Sequence, residues 1–141
     1  MYLEKLSGEI SQGDIFERLP FAPVADGQGP GEVRLVSAIL LTQDCEYDKP
    51  STTSILIAEV LPLSVIASGS QGNVRKNRVA SAFYLPPHAS LPESYVDSRT
   101  ISRVTKSLIA EAQDENRLLS LTEEARLALQ RQIAGFFGYD C

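Results

Sequence analysis

Along residues 13–21, GDIFERLPF, the positions Ile15, Glu17, Leu19 and Phe21 alternate with Asp14, Phe16 and Arg18, the two-residue period of a strand. A first strand is predicted over 14–21, with Pro20 and Pro23 ending it. Residues 24–32, VADGQGPGE, hold three glycines and a proline and predict a flexible loop. The run VRLVSAILLT, 33–42, is apolar enough to be a strand buried on both faces, and so is ILIAEVLPL, which predicts a strand over 55–62. SGSQGN, 68–73, reads as a second flexible loop leading through the basic NVRKNR into a strand over 79–85. Pro86, Pro87 and Pro92 interrupt regular structure, after which 95–104 reads as one strand or two short ones with Val96, Ile101 and Val104 as core. The last segment, SLTEEARLALQRQIAGFF, opens on a capping box of Ser120 and Glu123. A helix over about 121–135 would place Ala125, Leu129, Ile133, Phe136 and Phe137 on one face. The pattern predicts a mainly β chain of the β+α kind. It would be a small five- to six-stranded barrel with a C-terminal amphipathic helix packed across it, one domain over 1–141.

Composition bounds the partners. A length of 141 residues suffices for a real core, and 43% hydrophobic with 22% charged residues is ordinary globular usage. The apolar runs are too short to cross a bilayer, and the N-terminal MYLEKLSGEISQGD lacks the apolar region of a secretory signal. With two cysteines, Cys45 and Cys141, the chain has neither a disulfide framework nor a zinc site, so no metal or other cofactor is expected and a reducing cytoplasm is the expected setting. The net charge of −5 argues against a protein that coats nucleic acid. Acids dominate residues 1–70, ten against four Lys/Arg, whereas 71–141 carries nine Lys/Arg against eight acids. Between 60 and 92 the only charged side chains are Arg75, Lys76 and Arg78, the one basic patch.

The cluster TQDCEYD, 42–48, follows a predicted strand directly. Cys45 could be a nucleophile or redox thiol, but its neighbours Asp44 and Glu46 would raise its pKa and quieten it. The plainer alternative makes Cys45 a small buried thiol, with Asp44 and Asp48 bonding local amides in a turn. A third reading has Gln43 and Asp44 presenting hydrogen-bonding groups to a ligand or partner. The basic stretch divides likewise between a solvated hairpin end and a phosphate contact through Arg75 and Arg78.

The order of the segments resembles the MazF/PemK (Kid, CcdB-like) toxin family. The matching pieces are GDIF at the first strand, the glycine-rich ADGQGPGE loop, AILLT ending in a hydroxyl, ILIAEVLPLS, YLPPHASLPESYVDSRTISRV and the closing RLLSLTEEARLALQRQIAGFFG. The resemblance covers most of the chain and implies an SH3-like barrel. It also implies a bacterial toxin–antitoxin or defence-type setting with a protein partner, an antitoxin or a larger defence component. RNA is a second candidate partner, and a homodimer is allowed.

The family's ribonucleases share an arginine-proline pair before the second strand and a Ser/Thr after the third. Here the pair's positions read Val36 and Ser37, with Arg34 two residues earlier on the same strand face; Ser64 falls near the expected hydroxyl. Metal-independent RNA cleavage needs a cation at the phosphate and a base for the 2′-hydroxyl. Arg34 could supply the first and Asp44 or Asp14 the second, while the sole histidine, His88, sits in a proline-rich loop. The displaced arginine favours a non-catalytic or catalytically altered binding component over an endoribonuclease toxin. A third expectation is a regulatory partner of a larger enzyme, bound through the acidic N-terminal half.

Overall fold

A computed structural model describes residues 1–22, 24–25, 29–30 and 33–137. Strand β1 (Ile15–Phe21) is followed by a two-residue pair, β2 (Val24–Ala25) and β3 (Gly29–Pro30), within the segment expected to be a loop. Strands β4 (Arg34–Leu40), β5 (Ser54–Pro62), β6 (Ala82–Leu85), β7 (Ser94–Thr105) and β8 (Arg117–Leu119) complete an antiparallel sheet in the order β6-β7-β5-β4-β1-β8. The five predicted strands are all present.

Both faces of this sheet are buried, which explains the unbroken apolar runs in β4 and β5. Val36, Ala38, Leu40, Ile55 and Ile57 point into one core, covered by Ile109 of helix α3 (Lys106–Asn116). Ile39, Ala58 and Val60 point into the other, covered by Ala125, Leu129 and Ile133 of helix α4 (Glu123–Phe137), the helix face read from the sequence. The Phe136 and Phe137 side chains lie outside the described residues. In β1 the alternation slips: Phe16 opposes Ala38 while Leu19 opposes Val36, so Glu17 and Arg18 share one position of β4. This bulge, with Arg18 at φ 54°, puts Phe16, Leu19 and Phe21 into the same core.

The sheet does not close into the predicted barrel: β6 and β8 are its two edges and do not pair with each other, and side chains take some of the groups along the β6 edge. Gln132 of α4 donates to the carbonyl oxygens of Val79, Ala80 and Ala82, and the Tyr84 amide donates to Asn77 Oδ1. Tyr2 pairs through its backbone with Leu121, beyond β8, and its hydroxyl donates to Pro86 O, beyond β6, at 2.6 Å. Phe83 and Leu85 of one edge and Leu119 of the other nonetheless share one core around α4.

Three helices were not expected. Asp44–Tyr47 forms a single turn, α1; Ser68–Arg75 forms α2, where a flexible loop was predicted; and α3 joins β7 to β8. The basic stretch therefore ends a helix instead of tipping a hairpin. α2 forms despite Gly69 and Gly72 because its Val74 is buried with Leu63, Ala82 and Tyr95. The expected capping box is also corrected. Thr122, not Ser120, caps α4 by accepting the Ala125 amide at 3.2 Å, and Ser120 is turned inward with 4% of its surface exposed.

Gly13, just before β1, adopts φ +89°, and a Cβ there would lie 3.0 Å from Leu121 Cδ1. Gly13→Ala is therefore expected to cost about 1–3 kcal/mol, measured by chemical denaturation, since it adds backbone strain to a side-chain clash.

Candidate functional site

The stretch TQDC (42–45), which the sequence singles out, meets SQGD (11–14), which it does not, at one end of the sheet. β4 ends in Leu40, whose carbonyl accepts the Gly13 amide, so the turn before β1 lies against the chain leaving β4. The first turn of α4 lies alongside. Asp44 is the hub. Its Oδ1 accepts the Gln12 amide at 2.8 Å, and its Oδ2 accepts Ser11 Oγ at 3.0 Å and Arg126 Nη1 at 2.9 Å. Arg126 Nη1 also donates to Ser11 Oγ at 2.7 Å. Gln12 is buried, donating from Nε2 to Leu41 O and accepting Gln130 Nε2 at 2.6 Å. Asp44 is thus more than a local turn-former: it ties the N-terminal segment to α4.

Beneath this cluster lies a buried ion pair. Arg117 Nη1 is 3.2 Å from Asp14 Oδ2, with side chains 5% and 1% exposed, and the same guanidinium donates to the carbonyls of Glu9 and Ser7. Burial holds the Asp14 carboxyl above the ordinary aspartate range, opposed by the neighbouring Ser120 hydroxyl, the Ser11 amide and Arg117. The Ser120 hydroxyl lies beside this carboxyl, and the Nε atoms of Arg117 and Arg126 are buried without a hydrogen-bond partner. A cavity of about 320 Å³ opens over these groups, lined by Glu9, Ser11, Asp14, Asp44, Asp48, Ser120, Glu123 and Arg126 together with Leu3, Ser7, Ile10 and Leu121.

The other expected site residues lie elsewhere. Gln43 is the residue before α1 and makes no side-chain cap there. Cys45, expected to be buried, is exposed because it sits on α1, none of whose residues is buried. This corrects the reading of a small buried thiol. The chain's other cysteine, Cys141, lies outside the described residues. His88 is exposed, accepts the Ser90 amide on Nδ1 and meets the Tyr2 ring edge-on at 5.6 Å.

Arg34 opens β4 and Ser64 follows β5, and the antiparallel pairing of these strands brings both to one end of the sheet. Arg34, however, is held by Glu59 through two hydrogen bonds of 2.6 and 2.7 Å. Glu59 is buried in β5, 4% exposed, and the guanidinium also lies 5.5 Å over the Phe21 ring. Ser64 is exposed in a single 3-10 turn, Leu63–Val65.

Arg75 is also occupied. It pairs with Glu93 through Nε at 2.9 Å and Nη2 at 3.0 Å, and Tyr84 donates to the same carboxylate at 2.5 Å. Arg75 and then Tyr84 pull the Glu93 carboxyl down to about 2. A depressed folded-state value means that this group's contribution is present above its ordinary pKa of 4.5 and is lost as pH falls through about 2. Glu93→Gln should therefore flatten the pH dependence of the melting temperature between those values; an unchanged acid limb would show that the triad does not persist in solution. Arg78, by contrast, is exposed and in no ion pair among the described residues.

No group of three or more His, Cys, Asp or Glu among the described residues is arranged to hold a metal ion, and no helix among them is long and apolar enough to cross a membrane. No protein-family model matches the chain, and a search among curated proteins returns no match, so the functional reading stands on this geometry and on the resemblance in segment order.

Proposed function

We propose that this chain is a non-catalytic or catalytically altered MazF/PemK-like binding component of a bacterial toxin–antitoxin or defence-type system. The supporting observation is the bidentate pairing of Arg34 with the buried Glu59. The cation that a metal-independent ribonuclease would offer to a phosphate is already neutralised from within the sheet, and a phosphate would have to displace an acid fixed in β5. The SH3-like barrel belongs to the same proposal: the six-stranded antiparallel order and the core shared by both edge strands support it, and the unpaired edges count against it. The cytoplasmic setting belongs to the proposal as well. The partner is proposed to be protein, an antitoxin or a larger defence component.

The endoribonuclease is kept as the second reading, because Arg34 and Ser64 do reach one end of the sheet. Anisotropy of a labelled single-stranded RNA separates the two. The binding-component reading expects weak, salt-sensitive binding, reduced by Arg75→Ala with Arg78→Ala and unchanged by Arg34→Ala. Since Arg75 is already paired, most of that loss should come from Arg78. Tight binding abolished by Arg34→Ala would overturn it.

A further inference from the structure

We propose that the cavity between α2, residues 79–82 and β7 is a recognition site for a carboxylate carried on a small apolar body, with the guanidinium of Arg99 as its anchor. The ladder of β7 with β5 runs from Ala58 opposite Ile101 directly to Glu59 opposite Asp97, so residues 98–100 have no partner on β5 and bulge out. Asp97 holds this bulge. Its Oδ1 accepts the Arg99 amide at 3.0 Å and Arg99 Nε at 3.3 Å, and its Oδ2 accepts Thr100 Oγ1 at 2.8 Å. The guanidinium is thereby fixed at Nε, while its two Nη atoms make no hydrogen bond among the described residues and its side chain is 69% exposed.

An exposed arginine alone would be a solvated charge. The second observation is Tyr95, 7% exposed on the wall of the same cavity, whose hydroxyl also makes no hydrogen bond among the described residues. Unlike the Ser98 hydroxyl, which is sealed from solvent, the Tyr95 oxygen remains reachable. Burial and then the Asp97 carboxylate raise the pKa of the phenol, and Arg99 lowers it. The oxygen therefore lies near both groups and is a hydrogen-bond donor at neutral pH. A buried hydroxyl without a bond is unfavourable unless something enters to supply one.

The lining defines the ligand. Arg99, Asp97 and Tyr95 are its ionisable groups, so one cation is balanced by one buried acid. A dianionic phosphate would meet Asp97 at close range, whereas a carboxylate adds a single charge and matches the planar fork of the two free Nη atoms. Ile66, Val74 and Val79 form the apolar side of the cavity, whose volume of about 300 Å³ admits a body the size of a leucine side chain. The Asn73 carboxamide lines it too and is unbonded among the described residues, free to meet a peptide group beside the carboxylate. A peptide's C-terminal residue and a free aliphatic acid share this chemistry.

This inference stands apart from the binding-component reading. The 15N-labelled full chain is titrated with acetyl-Gly-Leu bearing a free carboxylate, with its C-terminal amide, with hexanoate and with phenyl phosphate, following amide shifts. The expected result is a saturable response to the free carboxylates centred on residues 70–74, 79–82 and 95–99, with the amide bound at least about tenfold more weakly. Arg99→Gln should weaken the response about tenfold at little changed melting temperature, because the side chain is exposed. Tyr95→Phe keeps the ring packed against Leu63, Val74 and Ala82 and should weaken it several-fold. A peptide bound about tenfold more tightly than hexanoate identifies a chain terminus as the ligand; equal or lower peptide affinity identifies a free acid. No saturable response, a response indifferent to Arg99→Gln, or phenyl phosphate bound most tightly would overturn the site. RNA cleavage by the same sample would overturn only the non-catalytic reading.

Discussion

Arg117→Met should cost about 3–5 kcal/mol of folding stability, the range for breaking a buried ion pair by removing one partner. The variant leaves Asp14, 1% exposed, without its cation, and leaves the carbonyls of Glu9 and Ser7 without their donor. The pH dependence identifies the cause. Burial already holds the Asp14 carboxyl above its ordinary range with Arg117 present, and removing the guanidinium pushes it higher. A raised folded-state value in an acid means that the native state holds the proton more tightly than the unfolded chain. That contribution to stability is complete below the unfolded pKa and is lost as pH rises through the folded one. The deficit of Arg117→Met should therefore be largest near neutrality and shrink on acidification towards the ordinary aspartate value. Asp14→Asn added to Arg117→Met should recover part of the loss, a coupling that a double-mutant cycle measures. A deficit independent of pH would show that Arg117 contributes packing alone.

Leu129→Ala should cost about 2–5 kcal/mol. Leu129 is fully buried on α4, between Ala125 and Ile133, in the core that also holds Ile15, Ile39 and Phe83. The edges of the sheet meet through α4 and not through a strand ladder, so a cavity here loosens the element to which Gln132 and Arg126 are attached. Denaturant titration of the variant checks the value; a loss under about 0.5 kcal/mol would mean that α4 is not packed as described. Leu127, 43% exposed, is the control, and Leu127→Ala should change little.

The double-sided burial of β4 and β5 and the inward face of α4 were legible in the sequence because periodicity reports burial directly. Three features were not. α3, KSLIAEAQDEN, sends only Ile109 fully into the core, so its polar majority hid a helix whose place is fixed by tertiary contact. α2 begins with residues whose propensity points to a loop, and Val74 is its one buried residue. The choice between Ser120 and Thr122 as the cap of α4 depends on which hydroxyl the chain turns inward, and that is decided by the pairing of residues 1–3 with 120–122.

The site divides the same way. The cluster at 42–48 stands out in the sequence, but its meaning depends on Ser11, 33 residues before Asp44, and on Arg126, 82 residues after it. Arg117, which closes the buried pair with Asp14 from 103 residues away, carries no local signal. Arg34 could be identified as the one arginine near the expected catalytic position, yet its partner Glu59 lies 25 residues on, on the neighbouring strand, where only the sheet register brings them together. Sequence spacing names candidate charges. It does not say which are already spent on one another.

The central claim is that Arg34 is neutralised and that the chain does not cut RNA. Metal-independent cleavage of single-stranded RNA by the purified protein, in the presence of a chelator, tests it most directly. Loss of a charge-stabilising group commonly lowers a rate about a hundredfold or more, so an intact ribonuclease and a neutralised one differ well beyond assay error. The account predicts no sequence-specific cleavage by the wild-type chain and no difference between it and Arg34→Ala. Efficient cleavage by the wild type that disappears in Arg34→Ala would contradict it.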